Sequence, residues 1–396
     1  MADHLSAETL LDTVRVLAEG IGPRPAGHLD EAAARHYIRG VLEAAGIDTV
    51  EEQRFLTPDT WGYALIVPTV IALGGNLIGA LGRLGKLIGG VLSLVCAFAV
   101  WRATGGHRQL FSDVAPKRES ANLIARIAPS GPVRRQVVLI GHTDTNKHRP
   151  THAPGVKHLL LPMTSSGIVA LVANGAAQLL RFVGLEWMVA RLQRLTVLGL
   201  LSALAVEFAD ETGEFVDGAN DNASAVACLL GIGQQLTATP LANTEVWLAF
   251  TGAEEVGSLG THAMLDKYDL ELGDAWFIDF EMVGTSQISY VTQHSGFSYF
   301  NAYAPDEDSL ALAARTAAQH PALEVTGRPM AMVEEVGALR GRGFRGLCIV
   351  GVGEDGWLKN WHQASDTVSN IDSSGLERAA RFAWAMMQDL DAQAGR

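Results

Sequence analysis

Cysteine is scarce in this chain. The three present, Cys96, Cys228 and Cys348, each lie in an apolar run, and none belongs to a C-x-x-C pair. That excludes a disulfide framework and a thiolate metal site, and it leaves the three as reduced, buried small hydrophobes. Excess positive charge is lacking too. The formal net charge is -13, which argues against nucleic acid as the main partner. The opening residues, MADHLSAETLLDTVRVLAEG, have neither the basic start nor the unbroken apolar stretch of a signal peptide, so none is expected. Charge of either sign is missing from Trp61 to Gly82 and, with histidine neutral, from His158 to Leu180. Shorter uncharged runs cover Leu87–Trp101 and Leu195–Val206.

The two longer runs reach the roughly 20 residues that a bilayer span needs, and the two shorter ones have the length of buried helices. Gly75-x-x-x-Gly79 is a spacing that lets membrane helices approach closely. The runs read as two hydrophobic helical insertions, over residues 61–101 and 151–208. They suit membrane contact, a lid over a site, or self-association. Lys and Arg occur on both flanks and set no orientation. The expected location is the membrane if the insertions touch it, and the cytoplasm otherwise.

At 396 residues the chain is long enough for one large domain or two ordinary ones. Outside the insertions, residues 1–60, 102–150 and 209–396 alternate between two periodicities. Helical spacing marks residues 7–20, 30–47, the stretches GSLGTHAMLDKY and DEDSLALAARTAAQH, and the C-terminal SSGLERAARFAWAMMQDLDAQ, which has a serine start. DGANDNASAVACLLGIGQQL reads as a loop entering a helix, with Asp221 or Asn222 as its cap. SANLIARIA, QVVLIGHTD, TEVWLAFTG, AWFIDFEMVG and GLCIVGVG read as strands. The expected fold is therefore α/β, a three-layer αβα sandwich on a mixed, largely parallel sheet, with the hydrophobic helical hairpins inserted.

In such sheets function gathers at the carboxyl ends of the strands. There stand His142 and Asp144 after VVLIG, Asp221 in the loop before a helix, Glu254 and Glu255 after VWLAFTGA, Glu281 after WFIDF, and His362 beyond CIVGVG. Imidazole and carboxylate without thiolate suit zinc or a similar divalent ion. Two histidines and at least three carboxylates are too many for one tetrahedral site that keeps an open position, and they suit two ions sharing one carboxylate. Period-two alternation puts Asp144 on the face of His142, where it could orient the imidazole. In the Glu254–Glu255 pair, adjacent side chains diverge, so one acid can hold metal while its neighbour faces the reacting water.

The series GHTD, GANDNASA, TGAEEVGSLG, DFEMVG and WHQASDTVSNID, with IGPRPAG near the start, resembles the zinc aminopeptidase family that includes bacterial leucyl aminopeptidases and glutamate carboxypeptidase. The resemblance covers roughly residues 7–56, 120–147 and 215–390. It implies two zinc ions: His142 on one, Asp221 bridging, Glu255 and His362 on the other, with Glu254 as general base and Asp144 supporting His142. The family's remaining ligand is usually Asp, and Glu281 stands there; Asp279, on the same strand face, is an alternative. Glu334 and Glu335 replace the family's Ser-Asp-His-like segment, which affects the expected substrate preference. The implied activity is peptide hydrolysis, most simply an aminopeptidase acting on short peptides, since the second insertion enters beside the site and restricts access. Two other readings are a single-zinc glutaminyl cyclase, whose tryptophan Trp361 resembles, and a non-catalytic membrane scaffold. His148, His152 and His158 read as solvated loop histidines, and His294 as a residue lining the cleft. Asn220 and Asn222 are expected to steady Asp221.

Overall fold

The computed structural model describes residues 3–395. Among them, eight strands form one mixed sheet: β1 (Val50–Thr57), β2 (Arg118–Ile127), β3 (Arg135–His142), β4 (Thr244–Thr251), β5 (Trp276–Glu281), β6 (Gln287–His294), β7 (Thr326–Met330) and β8 (Leu347–Val352). The order across the sheet is β1-β2-β4-β3-β5-β8-β6-β7. The stretch from β4 through β3 and β5 to β8 is parallel, β6 also runs parallel to β7, and the remaining neighbours are antiparallel.

The parallel strands are continuous apolar runs because both faces are covered. Val137 and Leu139 of β3 enter one core, while Val138 and Ile140 enter the other. The first core is closed by α1 (Ala7–Arg15), α2 (Leu29–Ala44), α7 (Ser224–Ala238), α9 (Glu307–Gln319) and α11 (Ser373–Ala394). The second is closed by α8 (Leu259–Leu272) and α10 (Glu335–Gly341). This is the expected three-layer sandwich.

Boundaries differ from expectation in a few places. The N-terminal helix changes to a wider turn at Val16–Ile21. The last helix starts at a serine as expected, Ser373, and is capped by Asp372, whose side chain accepts from the Ser374 amide. Strands β1 and β7 sit at the sheet edges, where Glu51, Glu52 and Arg54 in one and Gly327 and Pro329 in the other mask the β pattern.

The two apolar stretches fold as α3 (Tyr63–Ala80), α4 (Arg83–Ala103), α5 (Leu160–Phe182) and α6 (Glu186–Glu211). Together they make a four-helix bundle with a small core of its own, including Leu65, Ala72, Val100, Leu171 and Leu200. Its polarity is inverted. Inside, Asn174 Nδ2 donates to Ser93 Oγ (3.1 Å), and Gln193 Nε2 donates to Asn174 Oδ1 (2.7 Å) and also pairs with Asn76. Outside, Leu81 is 86% exposed and Trp187 81%. Glycines bring the helices together: a Cβ on Gly89 would collide with the Gly75 carbonyl, and one on Gly175 would stand 2.9 Å from the Gly90 carbonyl oxygen. All four helices are long and apolar enough to cross a membrane by length and composition.

Candidate metal centre

The centre forms where β3, β4 and β5 end side by side. His142 is the last residue of β3 and pairs in register with Thr251, the last of β4, from which the chain turns into Glu254 and Glu255. Glu281 closes β5. Asp221 comes from the loop ahead of α7, and His362 from the loop after β8.

These residues converge on Asp221. His142 Nε2 lies 3.3 Å from Asp221 Oδ1 and 3.6 Å from Glu281 Oε2. On the other side, His362 Nε2 lies 3.4 Å from Asp221 Oδ2 and 3.1 Å from Glu255 Oε2. Each histidine therefore faces one private carboxylate and one oxygen of the shared Asp221. Glu254 Oε2 is farther off, 3.9 Å from His142 Nε2, and its Oε1 accepts from Ser258 Oγ at 3.1 Å. Glu281 Oε2, not Asp279, faces His142.

His142 Nε2, Asp221 Oδ2 and Glu255 Oε1 are buried without a hydrogen-bond partner. A buried polar atom left unpaired is costly, and unpaired atoms that face one another are what a cation would satisfy. The residues therefore fit the expected metal. Burial alone would pull His142 down, but Asp144, Asp221 and Glu281 raise its pKa well above the ordinary value. Burial, reinforced by Glu255, Glu281 and Glu335 against the pull of His142, raises Glu254 well above the ordinary carboxylate range. Burial lifts Glu281 to about 8 despite His142.

Backbone conformation aims these side chains. Ala253, Met282 and His362 have φ of 54°, 51° and 49°. A non-glycine residue in this left-handed region is strained, and strain of this kind is held where surrounding structure demands it. Here it turns the loops after β4, β5 and β8 inward. Asp144 acts differently from expectation. Its backbone carbonyl, 3.0 Å from His142 Nδ1, is the nearer contact, and its carboxylate stands at 3.5 Å. That carboxylate accepts the Glu254 and Glu255 amides at 3.0 and 3.1 Å, so Asp144 fixes the acidic pair as well as the imidazole. Asn220 and Asn222 do steady the loop: Asn220 Oδ1 accepts from Gly284 N, and Asn222 Nδ2 donates to Glu281 Oε2 at 3.1 Å.

Other positions depart from the reading of the sequence. Asp279 turns to a second buried cluster with Glu334 and Cys348. His294 is fully buried and meets Glu334 at 2.9 Å instead of lining the cleft. Glu335 bonds to Thr251 beneath the centre. His152 is not solvated: it is buried, with ring centroids 4.5 Å from Trp361 and 4.6 Å from His362, and burial holds its imidazole well below the ordinary range. His148 is half-buried and His158 exposed.

Three residues went unnoticed in the sequence. Asn146 Nδ2 reaches Glu255 Oε2 (2.7 Å) and His362 Nε2 (3.2 Å). Asp366 accepts the amides of Asn220 and Asp221 (2.7 and 3.0 Å). Arg24 is fully buried and donates to the carbonyls of Thr143, Leu17, Gly22, Asp217 and Gly218, tying the loops that carry His142 and Asp221. Asn146 and Asp366 stand within four residues of His142 and His362, the one signal that could have found them.

A cavity of about 480 Å³ opens from Asp221, Glu254, Glu255, Glu281 and His362 toward the helical bundle. Trp361 lines it and stacks on Phe297 at 5.7 Å.

Comparison with known proteins agrees with this geometry. Residues 205–387 match peptidase family M28. A 77-residue stretch is 35% identical to a Mycobacterium tuberculosis protein named probable lipoprotein aminopeptidase LpqL; it covers 19% of this chain and about 15% of the length of that relative. A zinc aminopeptidase from Bacillus subtilis superposes with a TM-score of 0.59 at 13% identity, over 98% of this chain and 96% of its own. A Porphyromonas gingivalis glutaminyl cyclase does so with a TM-score of 0.59 at 15% identity, over 98% and 100%. At those identities the two structures show the shared fold.

Proposed function

We propose that the chain is a zinc-dependent peptidase, an aminopeptidase of short peptides, whose M28 domain is held against a membrane by the four-helix bundle. The observation that carries the reading is the paired arrangement around Asp221, with one histidine and one private carboxylate on each side. His142, Glu281 and Asp221 would hold one zinc, and Asp221, Glu255 and His362 a second. Bound zinc would polarise the scissile carbonyl and make water more acidic. Glu254, off the two groupings and open to the cavity, takes the proton of the attacking water and passes it to the leaving amine nitrogen. Asp144 keeps Glu254 and Glu255 pointing apart through their amides. Glu281 is one methylene longer than the aspartate usual at its position, and the hydrogen bond from Asn222 holds its carboxylate toward His142.

The test is Glu254→Gln. It keeps the volume and the Ser258 contact but removes the base. Turnover of an alanine dipeptide should fall by about 10²–10⁴-fold while zinc content, measured by elemental analysis, stays unchanged. Near wild-type turnover would refute the role of Glu254. The wild-type count should be near two zinc ions per chain. A count of one would favour the second reading, a glutaminyl-cyclase-like enzyme, for which Trp361 in the cavity wall beside His362 is the specific observation. Zinc-free protein would favour a scaffold.

A further inference from the structure

The cavity at the metal centre continues between the helices of the bundle. Its far end is walled by Thr69, Leu171 and Leu200. Helix α5 lines it from Leu160 to Leu171 and α6 from Asp210 back to Gly199. Twelve residues of helix, eleven steps, rise ~16 Å, about half of the ~30 Å hydrocarbon core of a bilayer. The space is long enough to take an extended chain along the two helices.

Away from the metal centre the wall is mostly apolar, with Arg149, Glu207 and Asp210 as its charged residues. The bundle's glycines are of two kinds. Gly75, Gly89, Gly90 and Gly175 are required by close backbone approach. Gly167 and Gly199, which line the cavity, are not: a Cβ on Gly167 meets nothing within 4 Å, and one on Gly199 meets only the Ala170 Cβ at 3.8 Å. Glycine is unfavourable in a helix interior, and these two leave space where a side chain would stand. Two wall hydroxyls are turned onto their own helices, Thr69 Oγ1 to the Leu65 carbonyl (2.8 Å) and Ser166 Oγ to the Pro162 carbonyl (2.7 Å).

We infer that this cavity is a chain-binding chamber, and that the substrate is a peptide amphiphile: a short peptide whose residue beside the scissile bond carries a long unbranched aliphatic chain. The chemical half of this inference rests on the hydrolase reading above; the binding half does not. In the reaction, water adds across the scissile C–N bond. Its oxygen goes to the carbonyl carbon and its proton, through Glu254, to the amine nitrogen. The aliphatic chain lies in the chamber throughout, and the products are a carboxylate and an amine.

The test uses the full chain in lipid nanodiscs. Zinc-loaded protein is given dipeptides of alanine whose N-terminal residue carries an unbranched side chain of two, six, ten or fourteen carbons. We expect kcat/KM to rise by up to about fourfold per methylene until the chamber is full, and the double variant Gly167→Leu/Gly199→Leu to cut the ten-carbon to two-carbon ratio at least tenfold. A second readout needs no turnover. Dansylaminoundecanoic acid added to metal-free protein should accept energy from Trp61 and Trp361 in the chamber wall, and the double variant should lose that signal. A kcat/KM independent of chain length, with the same probe signal in both proteins, would overturn the chamber and leave the hydrolase reading standing. Probe binding lost in the variant, without hydrolysis of any peptide, would support the chamber and overturn the hydrolase reading.

Discussion

Asp221 and His362 were readable as site residues because each lies in a short polar motif bounded by apolar runs. Arg24 was not, because its five carbonyl partners come from three separate parts of the chain, and nothing near RPAG distinguishes a buried guanidinium from a turn. Glu281 over Asp279 was also undecidable in the sequence: both share a strand face, and tertiary packing sends one to His142 and the other to Glu334 and Cys348. The acids that do gather here make a pH prediction. Burial lifts Glu281 to about 8 and Asp366 to about 7. These folded-state values lie above the ~4 of the unfolded chain, so between pH ~4 and ~8 the folded protein holds protons that the unfolded one has released. The stability of the metal-free protein therefore falls as pH rises through that window. Zinc would take the place of the Glu281 proton. The Tm gained on adding zinc should be small at pH 5 and grow steadily to pH 8. Calorimetry of metal-free and loaded protein checks this, and a gain independent of pH would contradict it.

Helices and strands were legible in proportion to how uniformly they are buried. Strands β3, β4, β5 and β8 are covered on both faces and read as apolar runs. The edge strands β1 and β7 carry charge, glycine and proline, which suit an edge but hide the pattern. Helix α10 is only seven residues long and begins with Glu335, too short for helical spacing to mark it. Length and hydropathy announced the insertion helices, yet their packing mode depends on which glycines face one another. That difference is testable within α4 and α6. Gly89→Val drives a side chain into the Gly75 carbonyl and should destabilise the bundle by about 1–3 kcal/mol. Gly199→Ala meets only the Ala170 Cβ and should stabilise by up to about 1 kcal/mol. Unfolding of the detergent-solubilised protein measures both. Equal effects would mean that the close approach of α3 and α4 is not what holds the bundle.

The two parts of the molecule sort polar and apolar residues differently. The sandwich hides its apolar residues on both sides of the sheet, whereas the bundle buries asparagine, glutamine and serine beside its small apolar core and exposes many large apolar side chains. An apolar exterior over buried interhelical polar contacts is unfavourable in water, where large exposed apolar patches mark contact surfaces, and favourable in lipid, where small residues and interhelical hydrogen bonds hold helices together. The lengths agree: α3 and α4, of 18 and 21 residues, span ~27 and ~31 Å, against a hydrocarbon core of ~30 Å. Leu198 tests the idea because it lies at the middle of α6 and is 60% exposed. In water, Leu198→Lys would change stability by no more than about 0.5 kcal/mol. At the centre of a bilayer a lysine costs about 2.5–3.5 kcal/mol. The wild-type chain should float with liposomes and stay with them at high salt, since burial rather than charge holds it. Leu198→Lys should lower its stability in liposomes by the larger figure. A chain left in the aqueous fraction, or a variant as stable as wild type, would return the bundle to the surface of a water-soluble protein and leave its outward leucines to a second copy of the chain.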